Sequence, residues 1–101
     1  MSIPTAEQIN TLNESLGRQV ENLHRNALKT RNVDLAREMC KALGRKAVLE
    51  RQLGAVPTTE RLIVSYTKDM VRMNVMTIIG IGTALADGAE HSEKWLKGNL
   101  Q

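Results

Sequence analysis

The chain contains no phenylalanine, and its two aromatics are Tyr66 and Trp95. Its core must therefore be aliphatic, built from Leu, Ile, Val, Met and Ala. Proteins that hold single-stranded nucleic acid stack bases on aromatic rings set among basic residues. Neither ring lies in the basic part of this chain, so that class is disfavoured. Cys40 stands alone, which rules out an intramolecular disulfide and the small secreted scaffolds that depend on one. No run alternates apolar and polar residues over several positions, so strands are not expected. A membrane-length apolar run is also missing. Residues 73–86 carry no charge, but a spanning helix needs roughly 20 apolar residues, and this stretch is shorter and holds Asn74, Thr77 and two glycines. Residues 1–10 lack the basic start and apolar run of a signal peptide, and a cytoplasmic location is the expectation.

The groups that carry chemistry are equally sparse. Two histidines and no paired-carboxylate pattern leave little general acid–base machinery. Cys40 falls on an apolar helix face, where a free cysteine serves as a small core residue. Gly80 and Gly82 resemble part of a phosphate loop but lack a preceding strand, a third glycine and a Lys-Ser/Thr ending. Glu21 and His24 form one Glu-x-x-His step; a di-iron bundle needs two such steps and two more glutamates. The expectation is a non-enzymatic protein with no cofactor and no metal site.

What is present is helical periodicity in a composition that is 42% hydrophobic. Ile9, Leu12, Leu16, Val20, Leu23 and Ala27 recur every three or four residues, which predicts a first helix over 5–29 with Thr5 as its cap. Leu35, Ala36, Met39, Cys40, Leu43, Ala47, Leu49 and Leu53 predict a second, capped by Asn32 or Asp34 and stopped by Gly54. A third begins near Thr58 or Thr59, with Pro57 beside its start as Pro4 is beside that of the first. It carries a polar ridge of Arg61, Ser65, Lys68 and Arg72, then becomes apolar all round between Val75 and Leu85. Asp87-Gly88 is expected to break it, and 89–97 to form a short last helix ending at Gly98. The predicted fold is all-α: one domain over 1–101, a small bundle of three long helices plus a short C-terminal helix. The third helix is expected at its centre, with the long helices antiparallel because their turns are short.

The net charge of +3 is unevenly spread. Residues 18–51 hold nine Lys/Arg against Glu21, Asp34, Glu38 and Glu50, while the rest is acidic or balanced. A basic helical face suits an acidic protein surface or nucleic-acid phosphate, and its charges also pair along the helix, as Asp34–Arg37 and Glu38–Lys41 would. A helix-turn-helix over 49–66 would place Leu62, Ile63 and Val64 where base-reading side chains belong, and Glu50 where tight packing wants a small residue. The functional expectation is thus an adaptor, regulator or inhibitor acting by protein–protein binding. Arg37, Lys41, Arg45, Met70 and Met73 are the candidate partner contacts. Val75, Ile78, Ile79, Gly82 and Leu85 are the candidate self-association residues of a homodimer, because three helices in one small chain can hardly bury so apolar a segment. Small residues at four-residue spacing, Gly80/Ala84 and Gly82/Ala86, would allow close helix approach there. The alternative is a basic helical nucleic-acid-binding regulator.

Overall fold

The computed structural model describes residues 5–54 and 58–100. Pro4, Pro57 and the turn expected at 55–57 lie outside the described residues. Four helices and no strand occur among those described: α1 (Ala6–Thr30), α2 (Val33–Leu53), α3 (Thr59–Arg72) and α4 (Ile78–Leu100). The all-α bundle stands as expected, and no described helix is long and apolar enough to cross a membrane.

Local capping sets the first two helices. Thr5 Oγ1 accepts from Gln8 N at 3.1 Å while Gln8 Oε1 accepts from Thr5 N at 2.9 Å, a reciprocal capping box. Asn32 Oδ1 caps α2 by accepting from Asp34 N and Leu35 N. Gly54, at φ 65°, ends α2 in the left-handed conformation that glycine adopts without a Cβ penalty.

The last half of the chain divides differently from the expectation. The break falls at residues 73–77, and the short helix is α3; Asp87, Gly88 and Gly98 lie within the continuous α4. Asn74 takes φ 57°. Its N–H donates to Val71 O at 3.0 Å, and Val75 N donates to Met70 O at 2.9 Å. This pair of bonds is a Schellman stop, with Asn in the place usually held by glycine. Three residues later Thr77 Oγ1 accepts from Gly80 N at 3.1 Å and starts α4. Asn74→Ala should cost about 1 kcal/mol, because alanine tolerates the left-handed region poorly, while Asn74→Gly should be neutral or better. Urea midpoints of the two variants test this, and equal midpoints would remove the assigned role.

The centre of the bundle is α2, correcting the expectation for the third helix. It packs against all three others, and α1 and α4 flank it without backbone contact with each other among the described residues. Ala36, Met39, Cys40, Ala42, Leu43, Gly44, Val48 and Leu49 are buried around it. The small residues in that set let neighbours approach from several sides. The two-residue connection Arg31–Asn32 folds α1 back antiparallel on α2. Because α3 doubles back, α4 runs parallel to α2: Gly88 lies on Lys41, and one turn on Ser92 Oγ donates to Arg45 O at 3.3 Å. At Gly88 an added Cβ would overlap Lys41 O and lie 2.7 and 2.8 Å from Lys41 C and Cα. At Gly44 it would overlap Leu85 O and lie 3.0 Å from Ala89 N. The two helices thus meet backbone to backbone at two glycines.

The start of α3 is held from α2. Thr58 makes no capping bond with its own side chain. The buried Glu50 carboxylate supplies the cap, accepting from Thr58 N and Thr59 N at 3.1 Å each and from Thr58 Oγ1 and Thr59 Oγ1 at 2.7 and 2.6 Å. Lys46 Nζ donates to Glu50 Oε1 at 3.0 Å. Burial by itself would raise this carboxyl, but the bonds from Thr59, Thr58 and Lys46 override it and hold the group down to about 2.

Candidate interaction surfaces

The α4 register follows from the turn before it. With Val75 and Met76 tucked into the core, Ile81 and Ala84 face α2. Ile78 and Ile79 are left 71% and 83% exposed, beside exposed Gly82, Thr83 and Ala86. The segment expected to be apolar all round is therefore split, one side in the core and one at the surface. Of the residues expected to self-associate, Ile78, Ile79 and Gly82 are on the surface side, Leu85 is half-buried and Val75 is core.

The candidate partner contacts separate in the same way. Met70 is 0% exposed, so it touches no partner in this conformation, and Met73 is half-buried against the core. Arg37 is exposed and pairs with Asp34 at 3.2 Å. Lys41, half-buried, pairs with Glu38 at 3.6 Å. These are the pairings along the helix anticipated from spacing, and bridges of this exposed kind contribute little stability. Arg37 also meets Val75, Thr77 and Gly80 in a groove of about 290 Å³, next to the exposed isoleucines. Arg45 is half-buried on the other side of α4, in a cleft of about 180 Å³ with Leu12, Leu16, His91, Ser92 and Trp95. The three basic residues thus do not share one open face.

Sequence spacing did not reveal the α1–α3 contact. His24 stacks on Tyr66 with ring centroids 3.8 Å apart and an interplanar angle of 12°. Its Nε2 lies 3.1 Å from Asp69 Oδ2. Burial raises the Tyr66 hydroxyl, and the charges of Glu21 and Asp69 push it the same way. His24, at a half-buried position of α1, therefore ties that helix to α3. The one available signal was its place beside the apolar stripe. Among the described residues no three His, Cys, Asp or Glu side chains converge as metal ligands do. Cys40 is 1% exposed, and burial pushes its thiol up to about 11, so it stays protonated at neutral pH. The polar ridge of α3 lies outward as expected, with Arg61, Ser65, Lys68 and Arg72 along one side.

No protein-family model, curated protein or solved structure matches the chain.

Proposed function

We propose that the protein is a non-enzymatic helical adaptor, regulator or inhibitor that works by protein–protein binding, as a homodimer joined through the first half of α4. The observation that supports this reading is the exposure of Ile78 and Ile79, at 71% and 83%, on a charge-free surface with Gly82, Thr83 and Ala86. Contiguous exposed apolar surface of this kind marks interaction sites in soluble domains. Large isoleucines next to small Gly82 and Ala86 give one face both projections and recesses, which suits an isologous contact in which the same patch meets itself. Arg37, at the edge of that face through its groove with Thr77 and Gly80, is the charged residue best placed to select a partner.

Light scattering tests the reading. The expected mass is a dimer that duplex DNA does not change. Ile78→Glu with Ile79→Glu should raise the dissociation constant at least about 100-fold, since each isoleucine is buried twice in a symmetric pair at ~1.5 kcal/mol or more apiece. Its far-UV dichroism and melting temperature at low concentration should stay the same, because both side chains are outside the core. A wild-type monomer would sink the dimer. A salt-sensitive mass increase with DNA would instead favour a basic nucleic-acid binder, since phosphate contacts weaken steeply as salt rises.

A further inference from the structure

The cations of α2 are paired with carboxylates at nearly every turn: Arg37 with Asp34, Lys41 with Glu38 and Lys46 with Glu50. Arg45 and Arg51 stand outside the pattern, and of the two only Arg45 is withdrawn from the surface, Arg51 being exposed near the end of the helix. None of the ion pairs among the described residues includes Arg45. Its Nε is buried and has no hydrogen-bond partner among the described residues. A desolvated guanidinium N–H without an acceptor is costly, and an anion that reaches it is bound with the strength of a charge-assisted bond.

Arg45 lies at the floor of the cleft between α1 and α4. Leu12 and Leu16 form one wall, and His91, Ser92 and Trp95 the other. The Ser92 hydroxyl donates to Arg45 O at 3.3 Å, which fixes α4 on α2, and Arg45 and His91 are the ionisable residues of the cleft lining. Leu12 and Trp95 are 37% and 36% exposed at the rim, open apolar surface beside a half-buried cation. The volume, about 180 Å³, is below the ~300 Å³ at which drug-sized ligands begin to fit. Charge, walls and size together describe a small amphipathic anion.

We propose that this cleft binds a small monocarboxylate on a short apolar stem, with the carboxylate on the Arg45 guanidinium and the stem between Leu12, Leu16 and Trp95. A planar carboxylate matches the guanidinium fork with two parallel bonds, which a lysine could not provide. The site is independent of the α4 self-contact and stands whether or not the chain dimerises.

Trp95 is the only tryptophan, so its fluorescence reads the cleft directly. Hexanoate, hexanol and hexylammonium share a stem and differ in the head group. Hexanoate should change Trp95 emission saturably with a dissociation constant of about 1 mM, as expected of so few contact atoms. Hexanol should bind at least about 10-fold more weakly, and hexylammonium not at all. Arg45→Met keeps an apolar stem of similar length and should erase the difference between hexanoate and hexanol. Its melting temperature should not fall, since an unpaired cation has been removed. Acetyl-leucine titrated in parallel separates two sources of the same chemistry: tighter binding than hexanoate assigns the cleft to a peptide end, weaker binding to a free acid. Equal responses to hexanoate and hexanol in the wild type would overturn the proposal, as would no saturable response to hexanoate up to about 20 mM. An unchanged hexanoate preference in Arg45→Met would also overturn it.

Discussion

Gly88→Ala should destabilise the bundle by ~3 kcal/mol or more, a large share of the 5–15 kcal/mol that holds a domain of this kind together. By helix propensity alone the sign would be the opposite, since alanine is about 1 kcal/mol better than glycine inside a helix. Packing overrules propensity here. The new methyl would overlap Lys41 O and press on Lys41 C and Cα, which are backbone atoms with no rotamer to yield. Relief requires α4 to move off α2, and that opens the contact where Ile81, Ala84 and Leu96 are buried. Gly44→Ala should act in the same direction, against Leu85 O and Ala89 N. Gly82→Ala supplies the control within the same helix. Nothing lies within 4 Å of its added Cβ, so it should stabilise by about 0.5–1 kcal/mol. Urea unfolding at low protein concentration compares the three without a contribution from association. A Gly88→Ala protein as stable as the wild type would refute the backbone contact between α2 and α4.

Acid should weaken the fold through Glu50. Its carboxyl is held at about 2 in the folded chain against an ordinary 4.5. A group depressed in this way contributes its stability fully above the unfolded value and loses it as pH falls toward the folded one. The window is therefore about pH 5 down to pH 2, and the loss across it ~3 kcal/mol. Glu50→Gln should flatten that part of the stability profile, because it cannot titrate. Glu50→Ala should cost ~3–5 kcal/mol at neutral pH, since it leaves buried Thr59 without its acceptor, half-buried Lys46 without its counter-charge and with only Thr59 Oγ1 to donate to, and the start of α3 uncapped. Denaturant unfolding at pH 7 and pH 3 reads both effects. A wild-type protein equally stable at the two values would show that the carboxylate does not hold α3 in this way.

The candidate surfaces were legible only in part. Ile78, Ile79 and Gly82 stood out as more apolar surface than one chain could bury, and they are exposed. Met70 and Val75 had the same apolar character and are core. Hydropathy identifies residues that leave water but not which way they point, and that direction depends on where the helix before them stops. The stop itself was written locally, as Asn74 followed by Thr77. The dense apolar run around them pointed to one unbroken helix, yet hydropathy carries no information about φ.

The sequence by itself determined what interactions within about four residues decide. These are the helical class, the start of α1 at Thr5, the start of α2 within the two candidates Asn32 and Asp34, of which Asn32 is the cap, and the stop at Gly54. Each is a bond between a side chain or a glycine backbone and groups next to it along the chain. Only the tertiary structure decided the meaning of Gly88, Glu50 and Arg45. Gly88 reads as a helix breaker until Lys41 of α2 is laid against it. Glu50 reads as an obstacle to packing until Thr58 and Thr59 bring their donors to it. Arg45 reads as one of three similar surface cations until α1 and α4 close around it. In all three the deciding partner is distant in sequence or on another helix, and the energy of such contacts depends on distances that only the folded chain sets.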